Sequence, residues 1–199
     1  VGWAGYPFIE TFEAGSIGAL GAWWGFETTG AGEAVVTADN SPHGTYHLKL
    51  GQKNSSVGTS AAVLHLDLLD GLTPATGVTV DFWQKSAGYG GWESGAVYIR
   101  PNDSTTWRQV QTYLSEPAEY AVGQGYYTIN LDAEVQAAGW AYTDDFQVKF
   151  YHSGDGGTDV AYYFDDIRVM RTGEDLFGPK VVAQSPTGTV SGPLSSFTV

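Results

Sequence analysis

The chain has 199 residues, with 9 Lys+Arg against 22 Asp+Glu, a formal net charge of −13 and no cysteine. Charged residues make up only 16%, below the ~25% of ordinary soluble domains, and the 27 glycines are about twice the usual share. The length fits one domain with room for a fragment of a second; the acidity, unbroken by any basic stripe, argues against nucleic acid and anionic membranes as partners, and the lack of cysteine excludes disulfides, zinc thiolate sites and cysteine nucleophiles.

No apolar run reaches the ~18 residues of a membrane span, and the N-terminus has no basic region followed by an apolar one. Any export signal is therefore expected to have been removed or to lie outside this sequence. Low Lys with high Gly, Tyr and Trp is the composition of a secreted bacterial β-protein, so an extracellular or cell-surface location is expected.

Hydrophobic periodicity is two almost throughout, with turn signals about every ten residues, which argues for an all-β sandwich or barrel. Strands are expected at Tyr6–Phe12, Ala34–Thr37, Tyr46–Leu50, Ala61–Leu66, Val78–Lys85, Ala96–Arg100, Arg108–Leu114, Tyr126–Asn130, Phe146–His152 and Ala161–Met170. One helical turn is expected over Asp132–Ala138, stopped by Gly139. Past Met170 the pattern changes at Gly178-Pro179. Residues 1–174 then form the sandwich, and 175–199 a linker and first strand of a following Ig-like module, or a C-terminal tail of the same domain.

Four segments carry a resemblance. Phe8-Ile9-Glu10-Thr11-Phe12-Glu13-Ala14-Gly15, followed by Trp23 and Trp24, resembles the F-E-x-G opening of jelly-roll carbohydrate-binding modules and MAM-like sandwich domains. His43–Leu50 resembles their G-x-Y-x-L-x-L segment, Val80–Lys85 their V-x-F-W-x-K strand, and Tyr162–Val169 their closing F-x-D-D-I-x-V strand. With Trp107–Val110 and Tyr127–Asp132, the ordered set spans residues 6–170. It implies a jelly-roll β-sandwich of two antiparallel sheets. Its functions include sugar binding, adhesion and spacing.

In the carbohydrate-binding relatives a calcium ion ties the first motif to the last. Carried over, the resemblance implies a structural Ca²⁺ held by the carboxylates of Glu13 and Asp165, with backbone carbonyls near Tyr46–Lys49, Tyr46 and Lys49 among them. Such an oxygen donor set suits calcium better than zinc. Phe164 and Ile167 both read as core-facing although three apart, so a bulge must absorb one residue and aim one Asp inward. Glu10 and Asp166 are the substitutes if the register shifts, and a solvent-facing Asp165-Asp166 pair is the plain alternative. The Ser153–Asp159 loop lacks EF-hand spacing and reads as a hairpin tip, and Asp144-Asp145 as a turn.

Strand parity yields a candidate binding face. If Val80 and Phe82 face the core, Asp81, Trp83 and Lys85 face outward, and so do Tyr98, Arg100, Gln109, Gln111, Tyr113, Tyr126, Asn130, Gln147, Lys149 and Tyr151. One outer face of rings, amides and cations suits pyranose stacking and hydroxyl recognition. Trp92 is a loop-tip contact candidate or part of a lid, Trp107 is assigned to the core, and Trp23 and Trp24 to packing near the calcium end. The alternative is that the rings pack structurally, since a one-residue register error reverses every parity.

No H-E-x-x-H, G-x-S-x-G, Walker loop or paired glycosidase carboxylates occur, and His43, His47, His65 and His152 do not suggest a zinc site. The expected function is a non-catalytic, calcium-stabilised polysaccharide-binding module of a larger secreted protein, with glycan and other domains of the same chain as partners. The rival is a MAM-like interaction or adhesion module, or a structural spacer.

Overall fold

The computed structural model describes residues 2–5, 7–39, 43–69, 77–87, 94–114, 124–154 and 161–171. The side chains of residues 87, 113, 114 and 124 fall outside that description, as do the expected boundary near 175 and the whole C-terminal segment.

The elements are β1 (Phe8–Glu10), β2 (Trp24–Gly30), β3 (Gly32–Thr37), β4 (His47–Gln52), β5 (Gly58–Leu66), β6 (Val78–Ala87), β7 (Ser94–Arg100), β8 (Arg108–Leu114), β9 (Gln124–Asn130), α1 (Leu131–Ala138), β10 (Phe146–Gly154) and β11 (Ala161–Arg171). They build two antiparallel sheets. The six-stranded sheet runs β3-β4-β11-β6-β9, with β1 also on β11; the five-stranded sheet runs β2-β5-β10-β7-β8.

Alternation explains why the sheets stack. Val80, Phe82, Leu48, Leu50, Tyr162 and Phe164 of one sheet, and Leu64, Val97, Ile99, Val148 and Phe150 of the other, share a single buried core. Phe150 meets Phe82 edge-on at 5.4 Å and Phe164 at 5.0 Å, so the inner faces interdigitate.

The strand missing from the sequence reading is β2, a Gly-flanked edge strand in which only Trp24 and Phe26 pack on the core. It leads straight into β3 of the opposite sheet, and the crossover is tight: a Cβ on Gly32 would lie 1.8 Å from the Thr59 carbonyl oxygen, and one on Gly58 2.3 Å from the Gly32 nitrogen. Helix α1 starts where the Asn130 side chain accepts the Ala133 N–H at 3.1 Å and ends on left-handed Gly139, the expected capping chemistry.

Candidate functional site

At the closing strand the expected bulge is present. Phe164 pairs with Gln84 and Asp165 with Trp83, then the register shifts before Arg168 pairs with Asp81. Asp166 takes a positive φ of 49°, a conformation Asp adopts more readily than most residues. The bulge leaves Asp165 only 1% exposed. Its Oδ1 accepts the Asp166 backbone N–H at 2.8 Å, while Oδ2 has no hydrogen-bond partner among the described residues. Burial pushes this carboxyl up to about 7, helped by the charges of Asp166, Glu13 and Glu10 and opposed by the Asp166 hydrogen bond.

Glu13 is anchored by backbone. Its Oε1 accepts the N–H groups of Thr45 at 2.8 Å and Tyr46 at 3.0 Å, which hold its carboxyl below the usual range. Gly44 makes room, since a Cβ there would sit 2.2 Å from that oxygen. Glu10 accepts from the Phe12 N–H at 2.9 Å and the Trp24 indole at 3.3 Å. Trp24 packs on Phe8 and Phe12 and Trp23 on Phe8.

The spare Asp165 oxygen is the kind of hard donor that an oxygen-liganded cation takes. No group of three or more His, Asp or Glu side chains among the described residues is gathered for a metal, so carbonyls would have to complete the shell. Lys49 lies mid-strand between Val35 and Tyr163, and its ammonium meets Glu33 at 3.4 Å. Tyr46 precedes the strand with its N–H on Glu13.

The single aromatic face is corrected. Trp83, Lys85 and Tyr126 lie on the outer side of the six-stranded sheet, but Tyr98, Arg100, Lys149 and Tyr151 lie on the outer side of the five-stranded one. Gln111 joins neither: a register shift between Val97 and Tyr98 places it opposite core-facing Val97, whereas Gln109 pairs with Tyr98. Tyr113 pairs with Gly95, and its side chain lies outside the described residues, as does Trp92.

On the six-stranded face the rings are mostly closed off. Trp83, at 7% exposure, clusters with Tyr163 and Ala161, and buried His47 meets Tyr163 edge-on at 4.9 Å. Tyr126 stands out at 60% exposure, its hydroxyl donating to Asp166 at 3.0 Å and its ring stacked with His43 at 5.8 Å.

The five-stranded face is built in rows across the strands. One row reads His65, Gln147, Arg100; the next Gly25, Val63, Lys149, Tyr98, Gln109; the third Glu27, Ala61, Tyr151, Ala96, Thr112. Gly25, Val63 and Ala61 are the small residues of β2 and β5 in these rows, with Val63 and Ala61 only 3% and 2% exposed. Tyr98 and Tyr151 are in edge contact at 5.9 Å. Trp107 is not in the core: the Arg100 guanidinium lies 4.2 Å and the Lys149 ammonium 4.1 Å from its ring centre. Lys149 also lies 5.6 Å from Tyr98 and 6.0 Å from Tyr151. Among the described residues it makes no ion pair within 4.0 Å. Burial among these rings lowers its affinity for the proton, Glu27 opposes that and Arg100 adds to it.

Asp145, expected to be no more than part of a turn, organises the end of this face. It accepts the Trp3 indole N–H at 2.9 Å, pairs with His65 Nδ1 at 2.9 Å and accepts Gln147 Nε2 at 3.1 Å. Burial raises its carboxyl, but the hydrogen bonds from His65, Trp3 and Gln147 outweigh that and hold it below its ordinary range. Gln147 in turn accepts from Arg100 Nε at 2.8 Å.

No protein-family model matches the sequence, and no curated protein matches it. Its fold is similar to solved structures. A family 61 carbohydrate-binding module in complex with β-1,4-galactotriose superposes with a TM-score of 0.52 at 15% identity, over 81% of this chain and 94% of that one. The K1 cleaved adhesin domain of Lys-gingipain from Porphyromonas gingivalis W83 gives 0.55 at 14% identity, over 82% and 97%. A structure from work on promiscuous carbohydrate-binding modules of the β-sandwich superfamily gives 0.52 at 18%, over 86% and 63%. The likeness is one of fold: the chain is a jelly-roll β-sandwich of the kind found in carbohydrate-binding modules.

Proposed function

We propose that this is a non-catalytic, secreted polysaccharide-binding module, and that the ligand lies on the outer face of the five-stranded sheet. The observation that carries the reading is the pair of part-exposed rings of Tyr98 and Tyr151, in edge contact at 5.9 Å on that face with the Lys149 ammonium beside both. Flat rings stack on the apolar faces of sugars, and Gln109, Lys149 and Glu27 supply donors and acceptors for hydroxyls. The opposite face offers less, because Trp83 and Tyr163 are closed off there. Affinity electrophoresis on a panel of plant and marine polysaccharides tests this. Tyr98→Ala and Tyr151→Ala should lose retardation while Trp83→Ala keeps it. No retardation on any polymer would favour an interaction or spacer role instead.

The same reading includes a structural calcium ion at Glu13 and Asp165. It would neutralise the spare Asp165 oxygen and tie β1 to the closing strand. Melting in calcium against EDTA tests it, and an unchanged melting temperature with no metal in the purified protein removes it.

A further inference from the structure

We propose that Trp3 is the ring of an outlying subsite on the five-stranded face, so that the module grips a linear glycan chain along several sugars. The inference rests on the reading just given and extends the ligand beyond the Tyr98–Tyr151 pair.

The N-terminal segment reaches this face because it substitutes for β2. Before β2 begins at Trp24, opposite Leu64, Ala4 takes the place beside the end of β5 through a parallel bridge to Leu66, with Ala4 N–H on the His65 carbonyl and Asp67 N–H on the Ala4 carbonyl. Ala4 points into the core at 3% exposure. By alternation Trp3 falls on the outer side, the side of His65.

Trp3 is 57% exposed and fixed by one edge, with its indole N–H on Asp145. That carboxylate is itself held by His65 and Gln147, and Gln147 by Arg100, which lies over Trp107. A hydrogen-bonded chain of Trp3, Asp145, Gln147 and Arg100 thus connects the two tryptophans along the face. Leaving so large an apolar ring in water gains nothing for the fold, whereas anchoring it by its only polar atom presents its flat surface in one orientation. From Tyr151 to Gln147 the strand covers about 13 Å at ~3.3 Å per residue, and the parallel bridge sets Trp3 level with His65, in the row of Gln147. The extent suits an oligosaccharide rather than a single ring.

The test uses whichever polymer the full chain binds, together with its oligosaccharides of increasing length, measured by calorimetry. Trp3→Ala should leave affinity for the shortest bound oligosaccharide unchanged and weaken the longer ones about threefold to tenfold. Trp3→Phe, which keeps a ring but loses the bond to Asp145, should restore most of the loss. Equal affinities of wild type and Trp3→Ala at every length would overturn the subsite while leaving the face intact. Equal weakening by Ala and Phe would overturn it too, since only the anchoring bond would then matter. If wild type binds no polymer, the underlying reading fails and the subsite with it.

Discussion

The Tyr46 backbone N–H donates to Glu13 Oε1 at 3.0 Å across 33 residues of chain, joining the segment after β1 to the entry of β4. Thr45 adds a second donor. Because these donors favour the ionised carboxylate, Glu13 protonates at lower pH in the folded chain than in the unfolded one. Its stabilisation is therefore present above the ordinary carboxylate range and lost as pH falls through the folded value. Glu13→Gln should melt below wild type at pH 7, and the two curves should converge near pH 3. A constant gap at all pH values would show that the charge plays no part.

Asp165 has the opposite sign. Burial raises its proton affinity in the folded state to a value of about 7, so without a bound cation stability falls as pH rises from about 4 towards 7, by about 1.4 kcal/mol for each tenfold change in proton affinity. In EDTA at pH 8, Asp165→Asn should melt above wild type. In calcium the order should reverse, because the variant lacks the charge a cation needs. Differential scanning fluorimetry in both buffers checks this, and a variant that still gains stability from calcium would separate Asp165 from the ion.

Two buried histidines set the acid limit. Burial lowers both His47 and His152 to about 4; Lys85 and Lys49 add to the effect at His47 and Asp39 opposes it. Unfolded histidine takes a proton near 6.5, so stability is lost as pH falls from about 6.5 towards 4, by up to about 3 kcal/mol per residue. His152→Phe, which removes the titrating group from beside Tyr162, should flatten the fall in urea-unfolding free energy between pH 7 and 5. An unaltered slope would assign the acid sensitivity elsewhere.

Alternation made the fold legible, and it also explains where the site reading stopped. Period two tells whether Trp83 or Tyr98 points away from the core, but both outer faces of a sandwich share that answer, and only the strand order β2-β5-β10-β7-β8 puts the two residues on different sheets. Gln111 was displaced by a register shift opposite β7 that no local composition marks. Trp107 reads as core because it is large and precedes a strand, whereas its position is set by Arg100 and Lys149. Asp145 does lie in a turn, but its partners Trp3 and His65 are 142 and 80 residues away. The bulge at Asp165 was readable, because two core-facing residues three apart demand one.

The glycine excess has one consequence that packing makes measurable. At the crossover between the sheets a Cβ on Gly58 would meet the Gly32 nitrogen at 2.3 Å and the Ala31 nitrogen at 2.6 Å. These are backbone atoms in a segment tied by the Ala31 N–H to the Val57 carbonyl at 3.2 Å and the Lys53 N–H to the Ala31 carbonyl at 2.9 Å, so no flexible side chain can yield. Gly58→Ala should cost about 2–3 kcal/mol in urea unfolding, the scale of overpacking. Gly125, in β9, has nothing within 4 Å of its would-be Cβ, and Gly125→Ala should stay within about 0.5 kcal/mol of wild type. If the two variants were equally stable, the β2–β3 crossover would have room for a side chain, and close backbone approach would not be the reason for glycine there.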